Sequence, residues 1–199
     1  APTSLVTGID PTGRFVLGRS YPADSKGGYR VLIWDDGAAV AVGLLGVDQS
    51  LRDVTSTGTA VGVGFLKGEP VAQIYERGKV RTLPIATGAV DASDPPGVEP
   101  VETSDPFGAA TDASDPPVTA AAKGARLGVG EAVAINEAGQ IAGSRNGLVP
   151  VRWDRSTDRP TDLELPGKDW FGAAVDIDED GTVVGRVAQR AGGGGDRAM

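Results

Sequence analysis

The chain of 199 residues contains no cysteine and no histidine. Without cysteine there is no disulfide, thiolate metal site or cysteine nucleophile, and cysteine usage leaves the cellular compartment open. Without histidine, the usual zinc ligand and the usual general base are missing, together with the common serine and cysteine triads. These two absences remove the commonest enzyme mechanisms, so we expect a non-catalytic protein that needs no cofactor.

Long apolar runs and positive charge are also scarce. No stretch approaches the roughly 20 apolar residues of a transmembrane helix. The net charge is −8, whereas nucleic-acid binding needs a basic face to neutralise phosphates. We therefore expect neither a membrane span nor a nucleic-acid partner.

Aromatic residues make up only 5% of the chain, while glycine occurs 30 times and proline 14 times. This composition is typical of many tight turns between short strands rather than of long helices. The hydrophobic content of 40% is compatible with a packed core. The composition therefore predicts a turn-rich all-β protein.

One turn motif occurs four times, and each copy leads into a short apolar strand that ends in glycine. An Asp, Asn or hydroxyl residue at the first turn position and Gly at the fourth are typical of a hairpin with a type I turn. The copies are Ile9-Asp10-Pro11-Thr12-Gly13, Val54-Thr55-Ser56-Thr57-Gly58, Ile135-Asn136-Glu137-Ala138-Gly139 and Ile177-Asp178-Glu179-Asp180-Gly181.

A second shared element follows the first three hairpins. It is an alternating strand that ends in an aromatic residue, namely Trp34, Tyr75 or Trp153, and a polar turn and a fourth strand come after it. Each repeat is thus a four-stranded meander of about 40 residues, the size of a propeller blade. The predicted blades are 5–46, 47–88, 127–168 and 169–199, within a single repeat domain.

Between the second and third blades lies an acidic, proline-rich insertion, 89–126. Its segment 91–118 carries seven Asp or Glu residues and no Lys or Arg. So few apolar anchors cannot offset the entropy of ordering. The sequence predicts a disordered insertion.

The hairpins and the later Leu165-Pro166-Gly167 turn resemble the bacterial extracellular repeats named after a His-Ala-Phe tripeptide, the HAF repeats. The resemblance covers 5–90 and 127–199, although the tripeptide positions hold Arg30-Val31-Leu32, Val71-Ala72-Gln73 and Val149-Pro150-Val151. It implies a secreted β-propeller-type protein of unassigned activity. The small polar residues Ala1-Pro2-Thr3-Ser4 fit a processed N-terminus, or simply a chosen boundary.

The fourth blade is expected to be truncated, because Arg197-Ala198-Met199 occupy the tripeptide position and the outermost strand is missing. We therefore expect a propeller-like array of three blades plus a truncated fourth, forming an incomplete ring. Val183, Val184 and Val187 should be exposed at its open edge, and unpaired strand edges invite self-association.

Two candidate sites stand out. Asp176, Asp178 and Asp180, followed by Gly181, have the spacing of a calcium loop, but position twelve is Val187 rather than Glu, and the other hairpins form the same turn without such ligands. A purely structural turn is the favoured interpretation. Trp170 and Phe171 lie in a connection between blades and are either packed there or part of a ligand-binding patch.

The sequence thus favours a secreted or cell-surface interaction or scaffold module with an unknown protein or glycan ligand. The alternative is a secreted carbohydrate-binding, lectin-like propeller or a carbohydrate-active one, since a glycosidase needs only two suitably spaced carboxylates.

Overall fold

A computed structural model describes residues 3–21, 28–85, 128–189 and 197–199. In these residues the protein is all-β, with fifteen strands and no helix. The all-β prediction is confirmed for this part of the chain. The predicted insertion 89–126 lies outside the described residues.

The strands form four antiparallel sheets, and each sheet is a meander in chain order. The first sheet contains β1 (Thr3–Ile9), β2 (Phe15–Tyr21), β3 (Arg30–Asp35) and β4 (Ala38–Ala41). The second contains β5 (Val47–Val54), β6 (Ala60–Leu66), β7 (Glu69–Glu76) and β8 (Lys79–Thr82). The third contains β9 (Gly130–Ile135), β10 (Ile141–Arg145), β11 (Val149–Trp153) and β12 (Thr161–Asp162), and the fourth contains β13 (Trp170–Ile177), β14 (Val183–Gln189) and β15 (Arg197–Ala198).

The four predicted hairpin turns join the first and second strands of the four sheets. In each turn, the N–H of the fourth residue donates to the carbonyl of the first, at 2.9 to 3.1 Å. The fourth residue is always a glycine with φ between 79° and 86°, a conformation that side chains disfavour. The motif prediction is confirmed for all four copies.

The glycine that ends each motif has a steric reason. Gly18, Gly62, Gly143 and Gly185 lie on the second strands, and a Cβ at any of them would collide with a carbonyl oxygen of the paired first strand. That carbonyl belongs to the residue five positions before the turn, beside a β-bulge that all four first strands contain. Close backbone approach at the bulge therefore requires glycine.

The sheets stack face to face in chain order. The first strand of each later sheet packs on the sheet before it, so that β5 contacts β1, β2 and β3, β9 contacts the second sheet, and β13 contacts the third. Three apolar clusters fill the three junctions. The core is thus divided among consecutive sheet pairs.

The aromatic residues at the repeated position differ in burial. Trp153 is fully buried and Tyr75 packs against the first cluster, as expected for contacts between blades. Trp34 is only half-buried, because it belongs to the first sheet, on a face that no described sheet covers.

The fourth sheet has three strands, since Arg197–Ala198 pairs with β14. The expectation that Val187 is exposed is wrong: it is 4% exposed, and it lies with Leu165, Pro166 and Met199 around one cavity. Val184 is exposed as expected, while Val183 is half-buried.

Candidate functional site

The four hairpin turns, which we call the turn row, bring charged side chains of different repeats together. The second turn position holds Pro11, Ser56, Glu137 and Glu179. The Glu137 carboxylate accepts hydrogen bonds from the Ser56 main-chain N–H at 2.7 Å and from its hydroxyl at 2.6 Å. Glu179 repeats the contact, because its carboxylate accepts the Glu137 N–H at 3.1 Å. A glutamate at this position therefore links its own turn to the preceding one.

This series of contacts has a direction and a starting point. Pro11 has no N–H to donate, so the first turn offers nothing for a carboxylate at the second. Asn136 adds a further link to the fourth turn, since its side-chain amide donates to the carbonyl of Asp178 at 2.9 Å. The second, third and fourth turns are thus fixed relative to one another by polar contacts.

A second carboxylate connects sheets below the turn row. Asp53 accepts the N–H of Val54 in its own sheet at 2.9 Å and the N–H of Ile135 in the third sheet at 2.8 Å. Burial raises the pKa of Asp53, as do the nearby charges of Asp176 and Glu137, and the two N–H donors only partly offset this. Asp53 therefore acts as a half-buried bracket between two sheets.

Asp10 caps the first turn. Burial opposes its ionisation, but hydrogen bonds from the Thr12 hydroxyl and from the main-chain N–H groups of Phe15 and Thr12 lower its pKa overall. The Asp10 carboxylate thus stabilises the closed turn through these hydrogen bonds.

The aspartates of the predicted calcium loop are engaged in the same way. Asp178 accepts the N–H groups of Asp180 and Thr182, and Asp180 accepts the Thr182 hydroxyl at 2.6 Å, which lowers the pKa of Asp180. Asp176 accepts the N–H of Ile177 at 2.9 Å. Within the described ranges, no group of three metal-binding side chains is arranged to hold an ion. The three aspartates contact the main chain of their own repeat.

The predicted aromatic pair begins β13. Trp170 and Phe171 are half-buried, and the Trp170 ring lies beside Gly167 in the preceding turn. The main chain here is anchored, because the Trp170 N–H donates to the carbonyl of Gly167 at 3.1 Å and the Gly172 N–H donates at 2.8 Å to the carbonyl of Leu148, in the turn between β10 and β11. The pair thus lies at a junction between sheets with part of its surface accessible.

A cleft of about 410 Å³ opens between the first and second sheets. Arg14 and Asp35 form a two-pronged ion pair on its wall, at 2.6 and 3.1 Å. Its other lining includes Phe15, Tyr75 and Glu76. The cleft combines aromatic surface with exposed charges.

Two buried side chains form hydrogen bonds with the segments that connect the sheets, and neither of these contacts was predicted from the sequence. Gln73, fully buried, accepts the N–H of Leu45 at 2.7 Å and donates to its carbonyl at 2.9 Å. The indole N–H of Trp153 donates to the carbonyl of Pro84 at 2.7 Å. The polar residue within the apolar strand Val71-Ala72-Gln73-Ile74 was the available signal for Gln73.

No family model, characterised protein or solved structure matches this chain. Among the described residues, no helix is both long and apolar enough to cross a membrane.

Proposed function

We propose that the chain is a non-catalytic interaction or scaffold module, secreted or displayed at the cell surface, built as a β-propeller-like array. The observation that carries this proposal is the use made of its carboxylates. Asp10, Asp53, Glu137 and Asp178 all bind main-chain N–H groups in turns or between sheets. Carboxylates used in this way stabilise the stack of sheets, and the stack presents its loops to a partner.

The propeller-like arrangement and the HAF-type ancestry belong to the same proposal. Consecutive four-stranded meanders with the first strand packed on the preceding sheet support the first. The four turn motifs and the glycine after each of them support the second. Secretion rests on this resemblance.

The proposed interaction surface includes one edge of the fourth sheet. In the described residues this sheet has three strands where the others have four, so the outer edge of β15 has no described pairing partner and could pair with another chain. We include this edge in the proposed interaction surface.

A direct test distinguishes carboxylates that stabilise the fold from carboxylates that catalyse a reaction. Purified chain would be assayed with chromogenic glycosides, esters and phosphates, while thermal unfolding of Asp53→Asn and Glu137→Gln is measured in parallel. We expect no turnover above buffer and a lower melting temperature for both variants. Turnover that disappears in either variant without a change in melting temperature would contradict the proposal.

Carbohydrate binding is a second candidate, favoured by the accessible part of Trp170 and by the aromatic, charged cleft. Aromatic faces pack well on sugar rings when part of the ring stays exposed. Retention on a glycan array that is lost in Trp170→Ala, and kept in the control Tyr21→Ala, would favour this candidate over a protein-binding scaffold.

A further inference from the structure

The first sheet carries a copy of a surface that is buried in the other three sheets, and no described residues pack a sheet on this copy. Every first strand has apolar residues four positions and one position before its turn, and they point towards the preceding sheet. In the later sheets these residues are at most 7% exposed; they are Leu51, Val54, Ala132, Ile135, Ala174 and Ile177. The same positions of β1 hold Val6 and Ile9, which are 61% and 59% exposed. With the adjacent Val16 they form what we call the N-terminal face.

The fourth sheet carries the opposite surface, and no sheet of the described residues packs on it. Val175 and Val184 are 50% and 49% exposed there. Asp176 follows Val175 in the chain and pairs with Val184 across the hairpin, and it corresponds to Asp53, two residues before the turn. One oxygen of each accepts the N–H of the next residue in its own strand. The second oxygen of Asp53 reaches Ile135, whereas that of Asp176 accepts no hydrogen bond from the described residues. We call this the C-terminal face.

The N-terminal face offers the donor that Asp176 lacks. In the third sheet, the position of Asp53 is occupied by Ala134, which has no carboxylate. The N–H of the next residue, Ile135, donates instead to Asp53 of the second sheet. In the first sheet, Gly8 occupies that position, and Ile9 is the counterpart of Ile135. Because Asp10 donates its N–H to β2, the alternation of a strand turns the Ile9 N–H away from β2, and none of the described strands pairs with β1 on that side.

We propose that the C-terminal face of one copy of this chain packs on the N-terminal face of a second copy, with Asp176 accepting the Ile9 N–H. This junction repeats the one between the second and third sheets: apolar residues cover the preceding sheet, and one carboxylate brackets the two first strands. It lacks the glutamate contact of the turn row, because Pro11 has no carboxylate, and the junction between the first two sheets lacks that contact as well. The proposal rests on the geometry of the stack and not on secretion or scaffolding.

The contact is heterologous, since it joins two different faces, and each copy keeps one face free for a further copy. This property distinguishes it from edge pairing at β15. A charge placed on either face alone should stop assembly, because a chain needs both faces to continue. When one chain carries the charge on its N-terminal face and another carries it on its C-terminal face, the two unaltered faces can still pack together.

The test uses Ile9→Asp, Val184→Asp and the control Val40→Asp, an exposed valine whose strand neighbour Ile33 belongs to the junction with the second sheet. Molar mass would be measured by light scattering after size exclusion at up to about 100 µM chain, a range that detects micromolar affinity. Circular dichroism would verify that each variant folds.

We expect the unaltered chain and Val40→Asp to associate, and Ile9→Asp and Val184→Asp to be monomers. An equimolar mixture of these two variants should give a dimer and nothing larger. Asp176→Asn should weaken association about tenfold through the lost charge-assisted hydrogen bond. A monomeric unaltered chain, association that persists in both face variants, or a mixture that stays monomeric would each overturn the proposal.

Discussion

The Glu137 carboxylate accepts two hydrogen bonds from Ser56, which lies 81 residues earlier in the chain. The contact spans the insertion between the second and third repeats and joins their hairpin turns directly. It therefore reports whether these repeats are neighbours in the folded protein.

Replacing Glu137 with Ala should lower the free energy of unfolding by about 1 kcal/mol, because two exposed, charge-assisted hydrogen bonds are lost. Urea denaturation measures the change, and Glu69→Ala, an exposed strand glutamate, is the matched control. In a double-mutant cycle, Ser56→Ala should add little once Glu137 is gone. Additive effects of the two substitutions would mean that the Ser56 hydroxyl and the Glu137 carboxylate do not interact.

Gly143→Ala should destabilise the third sheet by about 3 kcal/mol, since its Cβ would strike the Glu131 carbonyl at the bulge and the backbone would have to shift. Gly43→Ala is the control, because a Cβ there meets nothing within 4 Å. Equal melting temperatures for the two variants would show that the recurring glycine has no steric role.

Calcium should not stabilise the protein if Asp176, Asp178 and Asp180 serve only the main chain. Thermal unfolding with excess chelator and with excess calcium should then give the same midpoint, because only a ligand of the folded state shifts it. Saturable binding in the micromolar range that Asp178→Ala abolishes would establish a metal site instead.

The stability contributed by Asp53 should decline with rising pH. Its pKa is raised in the folded protein, so the folded state binds the proton more readily than the unfolded chain, whose aspartates titrate near pH ~3.9. The contribution is fullest below that value and falls until the pH passes the folded pKa. Urea denaturation of the unaltered chain and of Asp53→Asn, at several pH values, isolates it. A difference that grows with pH in this range would mean that the folded pKa is lowered.

Local chemistry made much of the fold predictable. The turn of Asp10-Pro11-Thr12-Gly13 and its three counterparts could be identified because cap, turn and glycine are adjacent in sequence. The contacts of Asp53, Glu137 and Gln73 could not, because each joins a side chain to the main chain of another sheet or a connecting segment, and that pairing depends on how the sheets stack. The recurrence of Glu137 and Glu179 at one turn position was the sequence signal for the contacts of the turn row.

The expectation that Val187 is exposed was wrong because the sequence analysis left out a strand pairing. Counting strands predicted an exposed valine, but Val187 pairs with Arg197 of β15, and Leu165 and Pro166 of the third repeat line the same cavity as Val187. The short strand β15 thus pairs beside Val187, which the strand count of the fourth repeat did not anticipate.

The amide proton of Ile135, followed by NMR across the titration of Asp53, tests the stacked-sheet arrangement most directly. Ile135 belongs to the third sheet and Asp53 to the second, and they are joined by a single hydrogen bond of 2.8 Å. If the sheets stack as described, the Ile135 and Val54 amide shifts should change together, with one midpoint above that of an unperturbed aspartate, and neither should titrate in this way in Asp53→Asn. If the Ile135 amide shift stays constant while the Val54 amide shift changes with the ionisation of Asp53, the stacking of the second and third sheets is contradicted.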